Sequence, residues 1–456
     1  LYQIEPVSGD AIIEVVYENH PVKGELTVVK KGEVLKDYGK DFKYEMENLA
    51  GAVFAIYAAE DIYTADFQKD DAGNRILEYA KDTLVAELTT DETGSATIKN
   101  LPLGNYRVVE KTAPDGFVHN KAEQNVQFVY VDQDTPAVVE SVEFINERQK
   151  VEISVEKQDA ENGSTIAGAE FGLYAKEDIK AGGKVIVKAD EQLCTAVTGE
   201  DGTAIFEQNL PFGSYYIKEL QAPDGFVSSD EIIEVTVSYQ GQDVEVVRLK
   251  EIFKNQPTTV EFRKSDLTTG VELDGATLTV LDKDGNEIDK WTSVKGEPHI
   301  IKRLHVGETY ILREEFAPYG YLKAEEVEFT ITDTAEIQKV EMKDDVPIGR
   351  IIINKKGEFL SEVSWNDMVA GAMDSIWGYV TGSLKDVTFE IYAREDIKAA
   401  DGESDDYYKK DELVATIKTD ELGIARTDDL PLGKYYVVEK ETADGFVLDG
   451  EPRDID

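Results

Sequence analysis

Apolar and polar residues alternate in short runs along nearly the whole chain. Leu26-Thr-Val28-Val-Lys30, Ile153-Ser-Val155-Glu-Lys157 and Val260-Glu-Phe262-Arg-Lys264 have the period of two expected of strands with one face on a core. Turn residues separate the runs, as at Asp91-Glu-Thr-Gly94, Glu200-Asp-Gly202 and Asp444-Gly445. Two stretches depart from this pattern. Residues 57–84 read as a long polar loop around Asp70-Asp-Ala-Gly-Asn74. Within 361–383, Trp365, Met368, Val369, Ala372, Met373, Ile376, Trp377 and Val380 fall on one face of a 3.6-residue period. That spacing predicts a short amphipathic helix, with Ser364 and Asp367 as its capping box. The expectation is an all-β chain of sandwiches with one helix inserted in the last.

The alternation is itself repeated. L-P-L-G-N-Y-R-V-V-E-K-T-A-P-D-G-F-V at 101–118 returns at 210–227 and 430–447, with a weaker copy at 305–321. Copies at this spacing indicate tandem domains. A segment G-A-x-F, or a variant of it, precedes each: Gly51–Phe54, Gly168–Phe171, Gly275–Leu278 and Asp386–Phe389. The expected boundaries are 22–148, 150–256, 258–347 and 349–456. Residues 1–20 read as the orphan last strand of a preceding repeat, and the fourth repeat stops before a last strand of its own. The chain is therefore expected to be a fragment.

Charge and composition narrow the function. With 93 acidic and 48 basic residues the net charge is −45, which repels phosphate backbones and argues against nucleic-acid binding. No run of 18 apolar residues suggests a membrane span. Cys194 is the one cysteine, so no intrachain disulfide can staple these domains. It alternates with Ala196 and reads as a core filler. His20, His119, His299 and His305 have no metal-binding spacing, and no cofactor motif is present. Asp282-Lys-Asp-Gly-Asn-Glu287 reads as a hairpin turn rather than a calcium loop, and Asn162-Gly-Ser164 as a turn before a glycosylation acceptor.

The chemistry lies in the strands. Lys30 shares the parity of Leu26 and Val28 and should point inward. Asn146 shares the parity of Val142 and Phe144. The repeated unit carries a glutamate in one fixed place: Glu110, Glu219, Glu314 and Glu439. A buried lysine, carboxyl and amide are each costly, and tolerable only where they meet. Burial favours the neutral, nucleophilic amine. A protonated glutamate could then polarise the amide carbonyl. Attack on asparagine would expel ammonia and attack on aspartic acid would expel water, with enforced contact supplying the effective molarity.

The G-A-x-F, L-P-x-G-x-Y and E-x-x-A-P-D-G-F segments resemble the B-type repeats of Gram-positive collagen adhesins. They also resemble the prealbumin-like, SpaA-type domains of sortase-assembled pilins. The resemblance covers essentially the whole chain. It implies a tandem array of prealbumin-like, Ig-like β-sandwiches, each closed by an intramolecular isopeptide bond made without another enzyme. Carried over by position, the triads are Lys30–Glu110–Asn146, Lys157–Glu219–Asn255 and Lys264–Glu314–Asp345, while Lys355 and Glu439 lack an acceptor. No cofactor or metal is implied.

The expected role is a stiff stalk of a secreted, cell-wall-anchored adhesin or pilin, holding a tip that meets a host or neighbouring-cell ligand. Nine to eleven residues separate each acceptor from the next lysine, which leaves little flexible linker. Two alternatives stand beside it: repeats that themselves bind a host ligand, and accessory repeats of a surface enzyme. Asn19 lies eleven residues before Lys30, as Asn146 does before Lys157. Head-to-tail self-association would bring Asn19 of one molecule to Lys355 and Glu439 of the next.

Overall fold

The structure, a computed structural model, describes residues 15–64, 69–365 and 375–455. The first two repeats, through Asn255 but without Asp224–Val227, form one compact unit, and those four residues belong with the residues from Gln256 to a second. Among the described residues there is no α-helix.

Each repeat is two sheets enclosing an apolar core. In the first, the opening strand Lys23–Tyr38 lies between Ser95–Leu101, antiparallel, and the closing strand Ala137–Asn146, parallel. The second sheet runs Leu84–Thr89, Val53–Ala58, Gly104–Thr112, Glu123–Phe128. Leu26, Val28, Phe54, Ile56, Tyr106, Val108 and Phe144 fill the space between them, as their alternation requires. The second repeat repeats the plan, with Lys150–Asp159 parallel to Val246–Asn255. In the third, Thr259–Asp266 runs parallel to Gln338–Asp344.

The fourth repeat keeps the second sheet, from Leu413–Lys418 through Thr388–Ala393 and Tyr435–Glu441 to Arg453–Ile455. Its opening strand is short, Ile352–Asn354, and pairs only with Ile424–Arg426. Among the described residues no strand runs parallel to it.

The helix expected within 361–383 is not found. Lys356–Trp365 and Ser375–Ser383 form an antiparallel hairpin, and residues 366–374, which include Met368, Val369, Ala372 and Met373, lie outside the described residues. The apolar positions follow the strand period as well as the helical one. Ile376, Trp377, Tyr379 and Val380 are β-branched or aromatic, which suits strand pairing. The loop at 57–84 is also partly ordered, since Ile62–Tyr63 pairs with Leu77–Tyr79 and Ile62 is buried in the first core. The Asp282 segment is a turn, as expected. Its carboxylate accepts hydrogen bonds from the backbone N–H of Asp284 and of Asn286, at 2.9 and 2.8 Å.

The residue two places after the lysine decides what the opening strand does next. Asp159 and Asp266 end it, their carboxylates accepting from backbone N–H groups two or three residues on. Gly32 and Gly357 let it continue into a hairpin. At each a Cβ would meet a ring carbon of Phe117 or Phe446, respectively, at 2.5 Å.

Candidate functional site: a buried lysine, glutamate and carboxamide

Three strands bring three groups together in each of the first two repeats. Lys30 comes from the opening strand, Glu110 from the middle of the second sheet and Asn146 from the end of the closing strand. All three are buried. The Lys30 ammonium nitrogen donates to Asn146 Oδ1 and lies 3.2 Å from Glu110 Oε1. Asn146 Nδ2 donates to both glutamate oxygens, at 3.0 and 2.8 Å. In the second repeat Lys157 donates to Asn255 Oδ1 and lies 2.7 Å from Glu219 Oε1. Asn255 Nδ2 reaches Glu219 at 2.9 and 2.8 Å. Burial holds both lysines below the ordinary lysine range, and the neighbouring glutamate only partly opposes it.

The glutamate is aimed by the backbone. Glu110 pairs across the sheet with Phe54, Glu219 with Phe171, Glu314 with Leu278 and Glu439 with Phe389. A register irregularity adjoins each of these pairs, and such a bulge re-aims a side chain. One carboxylate oxygen also accepts a backbone N–H ten residues further on, from Asn120, Ser229 or Ala324 at 2.7–2.9 Å. Buried aromatic rings adjoin each cluster. Phe54 and Phe144, and likewise Phe171 and Phe253, are 4.9 Å apart.

The carboxylate faces the amide nitrogen, not the carbonyl oxygen that sequence reasoning assigned to it. It therefore lies between the two nitrogens, 3.2 Å from Lys30 Nζ and 2.8 Å from Asn146 Nδ2.

In the third repeat the acceptor position belongs to Asp344. Lys264 contacts Asp344 Oδ1 and lies 3.0 Å from Glu314 Oε1. Asp345 is exposed and outside the triad. Strand parity gives the reason: Asp344 is in phase with the inward Val340 and Met342, and Asp345 is not. Burial, with Glu314 nearby, pushes the Asp344 carboxyl up to about 6, although Lys264 opposes this. Its Oδ2 has no hydrogen-bond partner among the described residues. A proton there would offer Glu314 the donor that an amide NH₂ supplies in the other repeats.

The fourth site is incomplete. Lys355 lies 2.6 Å from Glu439 Oε2, while Glu439 Oε1 is buried without a hydrogen-bond partner among the described residues. Asn19 is exposed, outside any strand, and joins none of these clusters.

One recurrent contact was not foreseen. Thr90, Thr198, Ser293 and Thr419 each accept the N–H of the second residue of the G-A-x-F segment or its variant, and each donates to a carbonyl three residues before it. A hydroxyl four residues before the turn glycines Gly94, Gly202 and Gly423, and three before Gly296, is the signal that could have found it.

The profile of the SpaA prealbumin-like fold domain matches residues 40–143, 151–251, 258–346 and 379–456. The chain belongs to that family. Its SpaA-type repeats are thus four in tandem. Among solved structures, the Bacillus anthracis TIE protein is 25% identical, over 71% of this chain and 51% of that one, with a TM-score of 0.46. The chain thus spans about half the length of that relative. BcpA, the major pilin subunit of Bacillus cereus, is 16% identical over 71% and 100% of the two chains, with a TM-score of 0.34. The full-length major pilin SpaD of Corynebacterium diphtheriae is 18% identical over 71% and 97%, with a TM-score of 0.26. No curated protein matches.

Proposed function

We propose that this chain is a stalk segment of an extracellular, cell-wall-attached pilin or adhesin. In this reading its first three SpaA-type repeats close themselves with isopeptide bonds. The carrying observation is the contact of a buried lysine with a carboxamide or carboxyl over a buried glutamate, made in three successive repeats.

The step balances without a co-reactant. The neutral Lys30 amine attacks Cγ of Asn146, and a new C–N bond forms. Glu110 takes a proton from the attacking nitrogen and passes it to Nδ2, 2.8 Å away. The old C–N bond breaks and ammonia leaves. In the third repeat Lys264 attacks the protonated carboxyl of Asp344, and water leaves. The reaction turns over once, so the chain is a structural protein and not an enzyme.

Intact mass under denaturing conditions tests this. The chain is expected to weigh less than its sequence by two ammonias and one water. Asp344→Ala should restore the mass of the water, and Asp345→Ala should not. A parent mass equal to that of the sequence would remove the covalent reading.

The third site also predicts a pH dependence. Lys264→Met should leave Asp344 unreacted. It removes the group that lowers the Asp344 carboxyl and keeps burial and Glu314, which raise it. An aspartate titrates near 3.9 in an unfolded chain. The folded state therefore holds the extra proton as pH rises above that value. Its contribution to stability is complete below the unfolded value and is lost as pH rises through the raised folded one. The third-repeat transition of Lys264→Met should melt higher at pH 4.5 than at pH 7.5. In the bonded parent Asp344 no longer titrates, so that transition should lose this dependence.

A further inference from the structure

The hairpin that continues each K-x-G strand is a projecting arm, and in the first repeat its destination is visible. The strands Lys23–Tyr38 and Phe42–Asn48 carry their tip onto the second repeat. Phe42 is 4% exposed and belongs to the second repeat's core, with Leu35, Tyr38 and Tyr44 packed beside it. The Tyr44 hydroxyl donates to the carbonyl of Asn209 at 3.1 Å. Arg148, in the linker, stacks its guanidinium 4.0 Å over the Tyr44 ring and lies 3.7 Å from Glu33. The arm clasps the next domain and covers the linker to it.

The fourth repeat carries the same arm in the same register. Leu35 pairs with Tyr44, then a bulge follows, then Tyr38 pairs with Phe42. Leu360 pairs with Tyr379, then a bulge follows, then Val363 pairs with Trp377. Both bulges fall between the fifth and seventh residues after the lysine. Glu358 stands where Glu33 does, three residues past the lysine. The contact positions are apolar in both arms, but Leu360, Tyr379 and Trp377 are 51%, 59% and 54% exposed. Three exposed apolar side chains at the positions that dock in the other arm mark an unfilled interface. The SpaA profile match begins at 40 and 379 in these two repeats but at 151 and 258 in the armless ones, near their opening strands. In the two armed repeats the match thus begins within the arm, after the opening strand.

We propose that the fourth repeat's arm is a clasp for a further prealbumin-like domain following it in tandem, as the second follows the first. Leu360, Trp377 and Tyr379 seat on the sandwich. Tyr379 and Glu358 receive a cation of the linker, in the place of Arg148.

Exchanging the arms tests this within the whole chain. In one variant, residues 358–381 replace residues 33–46. In a second, a two-residue turn replaces 33–46. A third is the exchanged arm with Leu360→Ser, Trp377→Ser and Tyr379→Ser. The readout is trypsin cleavage after Arg148, which is buried while an arm covers it. The parent and the exchanged chain are expected to resist cleavage. The armless and serine variants should be cut at least tenfold faster. An exchanged chain cut as fast as the armless one would overturn the proposal.

Should the exchange unfold the first repeat, a second variant decides. The chain is extended past Ile455 by residues 129–255, which supply a closing strand, the Arg148 linker and a sandwich. Trp291→Phe and Trp365→Phe leave Trp377 as the only reporter. Acrylamide quenching of Trp377 is expected to fall at least twofold on extension, and unchanged quenching would overturn the clasp. Protection that grows with concentration in the unextended chain would show a second copy as the occupant, and would overturn the tandem reading.

Discussion

Glu110→Ala is expected to fold, to keep the full mass of the ammonia at its first site, and to melt far below the parent. Lys30 and Asn146 are 116 positions apart. By the loop-entropy model used for disulfides, closing such a loop is worth about 4–5 kcal/mol. For a domain of this size that corresponds to a fall of roughly 15–30 °C in the first repeat's transition. Loss of the charge partner beside a buried lysine adds to it. Glu110→Gln keeps the volume and should lose the bond as well, so a shared deficit in the two variants separates the bond from the cavity. Calorimetry and mass on the same samples decide the matter. A Glu110→Ala chain with the parent's mass deficit, each measured against its own sequence, and the parent's transition would mean that the first triad is wrong. Reductant should change nothing in either protein, because Cys194 is the only cysteine.

Under tension the same bond should have a larger effect still. Lys30 lies near the start of its repeat and Asn146 at its end, on parallel strands. A pulling force enters at one strand and leaves by the other. Once the bond exists, the force passes through the crosslink and the intervening residues carry none of it. Single-molecule stretching of the parent should show no unfolding step for the first three repeats up to the force that breaks covalent attachments. Glu110→Ala should show one step, releasing roughly 400 Å of chain at about 3.5 Å per residue. Parent molecules that extend by that amount would remove the mechanical role.

The repeats, the sandwich class and most of the site were legible because strand parity and fixed spacing act locally. Lys30, Lys157 and Lys264 could be placed inward from their neighbours alone. The same rule, applied to the third closing strand, selects Asp344, since Val340 and Met342 set the phase; aligning on the later acid of the Asp344-Asp345 pair lost one residue and turned the side chain to solvent. The arm was misread for a different reason. Spacings of three and four that fit a helical face also occur in two paired strands rich in β-branched and aromatic residues, and only the partner strand distinguishes them. The glycine two places past Lys355 carried the missing information, because it repeats Lys30-Lys31-Gly32, where a hairpin follows. The glutamate's orientation was not readable, since it depends on a bulge beside Phe54 and its equivalents. The buried hydroxyls of Thr90, Thr198, Ser293 and Thr419 were passed over because threonine and serine are ordinary strand and turn residues until their partners are known.

Each reactive cluster takes its three members from the first, a middle and the last strand of its repeat. The first and last strands are neighbours in the sheet although they are the most distant in sequence. Such long-range pairing is the slowest kind to form. The lysine therefore has nothing to attack until the closing strand is in place. On the isopeptide proposal, closure would act as a checkpoint on maturation. A repeat that had collapsed wrongly, or had lost its final strand to a protease, would stay unsealed and could be unfolded and degraded. A completed one would pass out of the folding equilibrium altogether.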